Sequence, residues 1–438
     1  MPRQQWRRTF KQLRSRHAWT VRLLFFGGAV LVGLVASLLA VTSDYAAALF
    51  GWLVEERSWL PFLLTPLGLV SIAWMTQRFF PAATGSGIPQ AIAMLRVRDE
   101  GIRQRVLGLG VGVFKGFMVV LGLACGASIG REGPTVHIAA AISYSLARYG
   151  RFPYYVQSRG LILAGAAAGL SAAFNTPLAG IVFAIEELSS KYEGHVNGVI
   201  FIAVIFAGMT ALALQGNYSY FTVEATPLSP KSALLAVLLC GFAGGLLGGI
   251  FSGLLIHGGN YLNPVRKHHP YLFALACGLL LASIGILSGG LTYGTGYEEA
   301  NPALMTGEGS GPLYPLLKLT ATLVSYLSGI PGGIFSPTLS IGATLGAELA
   351  PLLPYVPGTA IALLGMVGYF SGVVQSPLTA VVIVMEMTSE PSMLLPLMAT
   401  ALLAQWVSRH VTPKPLYRAL ADSFLRQCEE RRGKPVIP

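Results

Sequence analysis

Two long stretches of this chain contain no charged residue. One lies between Glu193 and Glu224 and the other between Lys231 and Arg266, and both are rich in apolar residues and glycine. A run of about 20 apolar residues crosses the hydrocarbon core of a bilayer as a helix. With no water in that core, every backbone N–H and C=O needs an internal partner, so these stretches are predicted to be helices. A transmembrane β-barrel is excluded, because its strands alternate apolar and polar residues and these runs do not. Composition points the same way. Only 11% of the 438 residues are charged and 53% are hydrophobic, whereas soluble domains carry about a quarter charged residues.

The net charge is +11, but its distribution argues against a nucleic-acid partner. Basic residues gather at the edges of the apolar runs. Residues 1–22 hold Arg3, Arg7, Arg8, Lys11, Arg14, Arg16 and Arg22 and no acid, which the positive-inside rule places in the cytoplasm. Trp6, Phe10 and Leu13 recur there at helical spacing, predicting a short amphipathic helix on the inner surface. The basic loop from Arg96 to Arg105, the Arg266-Lys267 pair and the C-terminal tail are also basic, and the tail is expected in the cytoplasm. The first apolar stretch, 23–42, is too long for a signal-peptide core and has no clear cleavage site. Cys125, Cys240, Cys277 and Cys428 have no metal-ligand spacing and read as small packed side chains. No metal or cofactor is expected. The predicted plan is a basic N-terminal segment at 1–21, one membrane domain at 22–425 and a short tail at 426–438. The residues after Tyr417 are too few for a regulatory domain.

The membrane domain contains an internal repeat. Residues 164–189 read AGAAAGLSAAFNTPLAGIVFAIEELS and residues 364–389 read LGMVGYFSGVVQSPLTAVVIVMEMTS. At an offset of 200, Gly165, Ser171, Pro177, Leu178, Val182, Glu186 and Ser189 find identical partners. Gly130-Arg131-Glu132-Gly133-Pro134-Thr135 pairs with Gly333-Ile334-Phe335-Ser336-Pro337-Thr338 at an offset of 203. The halves fall at roughly 22–225 and 226–425. Two halves in one membrane domain are a transporter architecture, with the site between the repeats. The repeat by itself fits parallel or inverted halves.

Five helix starts share one grammar: Ile88-Pro89, Gly133-Pro134, Thr176-Pro177, Ser336-Pro337 and Ser376-Pro377. Proline suits a helical first turn, where its missing N–H is not needed, and it favours an extended residue before it. Three starts are glycine-rich: Gly85-Ser86-Gly87-Ile88-Pro89, Gly130-Arg131-Glu132-Gly133-Pro134 and Gly333-Ile334-Phe335-Ser336-Pro337. A helix N-terminus offers unpaired N–H groups and partial positive charge, which hold an anion without a full cation. A passing anion needs that weaker grip, because it must also be released. The competing reading, packing kinks, suits one such motif better than three in one chain.

GSGIP, GREGP and GIFSP, in this order, resemble the signature motifs of the CLC family of chloride channels and transporters. FNTPLAGIVFAIEE and Lys414-Pro415-Leu416-Tyr417 resemble the same family, and the likeness runs from about residue 22 to about 425. It implies an all-α polytopic fold of two inverted repeats of tilted, broken helices. It also implies a homodimer in the lipid bilayer with one pore per subunit. Without tail domains, the chain resembles the prokaryotic branch, so the inner (plasma) membrane is expected. Carried over residue by residue, the resemblance gives Ser86, Tyr417 and the amides of Ile334 and Phe335 to a central anion. The amides around Arg131 and Gly133 would hold an external anion. Glu132 would be the gate, with Lys115 adding positive potential.

An intramembrane carboxylate is expensive and functional by default, which independently marks Glu132. Its competing role is a static cap or an ion pair with Arg131. Glu186 matches Glu386 across the repeat, so both suit a structural role at a helix end. Glu187 matches Met387, so its acid belongs to the first half alone. The resemblance gives Glu187 the internal proton-transfer role found in exchangers. The competing reading is a solvated helix-end charge near Lys191. Chloride/proton antiport is therefore expected, with a passive voltage- or pH-gated chloride channel as the alternative. A fluoride-selective relative is disfavoured by the motifs. A membrane hydrolase is disfavoured too, because His137 and His268-His269 make neither a nucleophile–base pair nor a metal cluster.

Overall fold

The structure is a computed structural model that describes residues 16–150, 152, 159–189, 194–216, 219–223, 228 and 230–432. The predicted amphipathic helix with Trp6, Phe10 and Leu13 lies outside these residues, as does Lys191. The first half comprises α1 (Arg16–Glu56), α2 (Pro61–Phe79), α3 (Ile88–Arg96), α4 (Glu100–Leu107), α5 (Leu109–Ala124), α6 (Glu132–Ser145), α7 (Arg159–Phe174), α8 (Pro177–Phe183) and α9 (Gly194–Gln215). The second comprises α10 (Pro230–His268), α11 (Pro270–Leu287), α12 (Tyr297–Thr306), α13 (Tyr314–Leu327), α14 (Phe335–Leu349), α15 (Gly358–Val374), α16 (Pro377–Thr388) and α17 (Leu394–Val411). Helix α18 (Leu416–Arg432) follows, so the expected tail is helical at its start.

The order of the halves repeats. Helices α1–α3 correspond to α10–α12, and α5–α9 to α13–α17, while α4 and α18 have no counterpart among the described residues. Six helices among the described residues are long and apolar enough to cross a membrane. Others, such as α7 and α16, are shorter. The sequence explains which helices lie inside. Every residue of α7 from Gly160 to Phe174 is buried, and so is every residue of α15 from Ala360 to Val374. A helix apolar on all sides belongs in a core. Small residues let α7 lie against α6, since a Cβ on Gly165 would meet the Ala139 carbonyl at 2.5 Å. Its repeat partner does the same, with a Cβ on Gly365 reaching the Gly342 carbonyl at 2.6 Å. Close backbone approach of this kind replaces the hydrophobic driving force that lipid removes.

The two halves meet through a reciprocal contact. Glu386, at the end of α16, accepts from the Leu178 and Ala179 amides that open α8, at 3.0 and 2.6 Å. Glu186, in the π turn Ala184–Leu188 that extends α8, accepts from the Leu378 and Thr379 amides that open α16, at 3.2 and 2.6 Å. Each helix thus has its end beside the other's beginning, as antiparallel, inverted repeats require. The shared helix-end role expected of Glu186 and Glu386 is met, each serving the opposite half.

Two local expectations change. The basic stretch at 96–105 is not all loop. Asp99 caps α4 by accepting from the Ile102 amide at 3.0 Å. Buried Arg103 donates to the Met94 carbonyl and to Glu100, which fixes the helix against its neighbour. The proline rule also divides. Thr176 and Ser376 are non-helical residues with ψ of 81° each, but Ile88, Gly133 and Ser336 already lie in the first helical turn. In all five cases the proline sits in that first turn, where no N–H is needed.

Replacing Glu386 with Ala leaves two helix-start amides of the opposite half without their carboxylate, and a charge-assisted hydrogen bond contributes about 1.5–3 kcal/mol. Glu386→Ala and Glu186→Ala should each lower thermal stability in detergent clearly. Glu186→Ala should be the worse, because it also strands the Thr379 hydroxyl, 2.7 Å away. Wild-type melting in both variants would contradict the capping role.

Candidate functional site

The three glycine-rich loops are joined backbone to backbone. Gly130 and Gly333 exchange both hydrogen bonds, each at 2.7 Å. The Gly85 amide donates to the Ile330 carbonyl at 3.1 Å, and the Gly332 amide donates to the Gly85 carbonyl at 3.2 Å. The N-termini of α3, α6 and α14 are therefore held at one place, between the halves. Gly87 shows why glycine is needed there. Its φ is +109°, and an added Cβ would meet the His137 Cβ at 2.6 Å and the Gly133 carbonyl at 2.9 Å.

Ser86, Ile334, Phe335 and Tyr417 are all buried. The Phe335 ring lies parallel to Tyr417, centroids 6.1 Å apart, and packs on Phe370 at 4.7 Å. The Ser86 Oγ and the Tyr417 Oη are buried and have no hydrogen-bond partner among the described residues. Leaving a buried hydroxyl unpaired costs about 1–3 kcal/mol. Two such donors beside the open amides of a helix start are suited to a small anion. Lys115 is fully buried behind them and donates to the Gly85 carbonyl at 3.1 Å.

Glu132 is fully buried. Its carboxylate reaches across to the other half, accepting from the Ser336 hydroxyl and, at 3.4 Å, from the Ser336 amide. It thus sits on the N-terminus of α14. Arg131 makes no ion pair with it. The guanidinium points away, donating to the Ala40 carbonyl at 2.6 Å and to the Asp44 carboxylate. The side chain anchors α6 to α1, while the Arg131 and Gly133 amides remain at the first turn of α6.

Glu187 is buried rather than solvated. One carboxylate oxygen accepts from the Ser376 hydroxyl and the other has no partner. Tyr417 lies within electrostatic reach of both Glu187 and Glu132. The competing reading of a solvated helix-end charge is not met, because Ser376, at the start of α16, covers the carboxylate.

Sequence reasoning missed Ser336, Ser376 and Asp44, ordinary residues whose roles depend on tertiary placement. It also missed the second-half copy of the first motif, Gly294-Thr295-Gly296. Gly296 has φ of +84° and opens α12, as Gly87 opens α3. A Cβ on Gly296 would meet Ser340 and Lys318 where one on Gly87 meets His137 and Lys115. Lys318 differs from Lys115 in donating to three carbonyls, those of Thr292, Tyr293 and Gly294, at 3.0–3.1 Å. The cradle survives in both halves, but the lysine ties it shut in the second.

The fold and site define a class: a multi-pass membrane protein of two inverted halves whose broken helices converge on an interior site. The family described as "Voltage gated chloride channel" matches residues 67–409. The chain is 31% identical over 444 residues to the H(+)/Cl(-) exchange transporter ClcA of Yersinia pestis bv. Antiqua (strain Angola), covering 93% of this chain and 89% of that protein. Its structure resembles a slow cyanobacterial Cl-/H+ antiporter, with a TM-score of 0.78, 25% identity and coverage of 92% and 98%. It also shares its fold with a CLC-type fluoride/proton antiporter, with a TM-score of 0.79, 24% identity and coverage of 93% and 99%. The chain belongs to the voltage-gated chloride channel (CLC) family.

The cradle makes a direct prediction. A side chain at a positive φ that also meets backbone costs more than about 1 kcal/mol. Gly87→Ala should therefore lower the melting temperature and the yield of folded protein, while Gly27→Ala, with open space around it, should not. Equal stability of the two variants would contradict the close packing at Gly87.

Proposed function

We propose that this chain is a chloride/proton antiporter of the inner (plasma) membrane. On this reading both termini are cytoplasmic, and the membrane domain at 22–425 works as a homodimer with one pathway per subunit. Exposed apolar residues such as Leu178, Leu378 and Trp406 support contact with lipid or a second subunit. The printed activities of the Yersinia transporter and the cyanobacterial antiporter support the ion pair. One observation carries the mechanism: the unpaired Ser86 and Tyr417 hydroxyls lie in the same interior site as an α14 N-terminus already engaged by the Glu132 carboxylate.

Chloride as substrate is held by the hydroxyls of Ser86 and Tyr417 and the amides of Ile334 and Phe335. Further out, the amides of Arg131 and Gly133 serve an external position. Glu132 is an oxyanion and draws on the same kind of donor. When it is ionised, it competes with chloride for the helix end. When it is protonated, it loses most of its attraction to that end and releases it. Proton binding and chloride binding are thereby linked at one place. Glu187 serves as the inner proton station, its free oxygen available. A proton reaching it from inner water needs Ser376 to yield, which makes that hydroxyl a latch on proton entry. The passive channel is the weaker reading, because a buried acid at 187 has no role in it.

In proteoliposomes, a chloride gradient should drive protons uphill through the wild type. Glu132→Gln should carry chloride without pH dependence and move no protons. Glu187→Gln should also lose proton movement while chloride still flows. Uphill proton transport by either variant would refute that residue's role.

A further inference from the structure

Beside the candidate pathway lies a chamber of about 790 Å³ that this mechanism does not use. It opens on the face that carries α4 and the end of α18. A smaller cavity of about 100 Å³ adjoins it and leads along Gly85, Pro89 and Tyr326 towards the site. Arg266, Phe424 and Gln427 line both, so Arg266 stands on the wall between chamber and pathway.

The lining of the larger chamber has a definite chemistry. It includes Arg105, Arg266 and Lys267 and no aspartate or glutamate. Lys267 is paired with Glu430 at 3.0 Å. Among the described residues neither Arg105 nor Arg266 is paired with a carboxylate, and the one polar contact of Arg266 is a long one, 3.5 Å to the Asn263 Oδ1. Arg266 is partly buried, and a cation drawn partly out of water is expensive unless it is paired, whereas Arg105 is exposed on the rim. Chloride alone does not account for the chamber. A volume of about 790 Å³ falls in the range of organic-ligand pockets, about 300–1,000 Å³. Apolar surface from Phe79, Phe80 and Phe424 faces the same space. Two guanidiniums match the geometry of a phosphoryl group better than that of a monatomic ion, because the planar fork donates two parallel bonds.

We propose that this chamber binds a phosphoryl group carried on an apolar body, with Arg105 and Arg266 as its main donors, and that its occupancy restrains anion passage past Arg266. The group can come from a soluble organic phosphate, which arginine forks recognise, or from the headgroup of an anionic lipid, which basic pockets at a membrane face bind. The restraint rests on the pathway proposed above; the binding does not. A ligand here places negative charge at the inner approach and engages the cation that would otherwise attract chloride.

The test uses phenyl phosphate as the soluble probe and two vesicle compositions as the lipid probe. Binding of phenyl phosphate to the purified protein is followed by calorimetry and thermal shift, at constant chloride. Stability and chloride flux are then compared in phosphatidylglycerol and phosphatidylcholine vesicles. Saturable phenyl phosphate binding, weakened at least about tenfold by Arg105→Gln and by Arg266→Gln, supports a soluble source. Stabilisation and slowed flux in phosphatidylglycerol, both lost in Arg105→Gln, support a lipid source. Arg105 is exposed, so its replacement should not prevent folding, and Arg266→Lys retains charge should Arg266→Gln fold poorly. Absence of both effects overturns the proposal, as does stabilisation by phenyl phosphate that sodium chloride reproduces at equal ionic strength. If phenyl phosphate binds but the wild type carries no chloride, the transport reading fails and the binding site stands.

Discussion

An amide at the start of a helix has no carbonyl four residues before it, and inside a bilayer it has no water either. This chain begins several helices within the fold, and at three of them it supplies a carboxylate. The structure rests on how those needs are met. At α8 the negative group is Glu386, and at α16 it is Glu186. At α14 it is Glu132. The same partial positive charge that makes a broken helix costly to bury gives the interior its attraction for anions.

The three carboxylates differ in permanence. Glu186 and Glu386 each bond two amides and lock the halves together by exchange, so neither can leave without stranding the other half's helix end. Glu132 instead bonds a single residue of the opposite half, Ser336, and it springs from the first turn of α6 beside glycines on either side. Letting go strands one backbone amide, held at 3.4 Å, where release of either of the others strands two. In the proposed mechanism that difference separates a structural acid from a gate. Arg131 is absent from the contact because its guanidinium is engaged with Asp44 and Ala40, and in the proposed mechanism the gate therefore has no ion pair to break.

Much of this was legible in the sequence, for physical reasons. Charge-free runs give membrane helices, and Gly-Pro breaks give interior helix starts. The repeat pairs Gly165 with Gly365 and Glu186 with Glu386 because packing and capping constrain both halves alike. Inversion was not legible from the repeat, since two similar strings look the same whichever way they cross the bilayer; the reciprocal caps reveal it. Ser336 and Ser376 were not legible either, because serine before proline is common at helix starts and only the opposing carboxylates give these two a task. The second-half cradle at Gly294-Thr295-Gly296 escaped notice because only its glycine spacing survives, with lysines at 115 and 318 preserved behind it. The burial of Glu187 was not legible for a related reason: position at a helix end suggests solvent, and Ser376 of the opposing half covers it.

The central claim is that one helix end serves a chloride ion and a titrating carboxylate in turn, so that the two ions cannot move independently. The most direct measurement is the reversal potential of the wild-type protein in a planar bilayer, with chloride and proton gradients varied separately. The account predicts that, at a fixed chloride gradient, the reversal potential shifts whenever the pH gradient changes. A reversal potential that stays at the chloride equilibrium value under every pH gradient would contradict it.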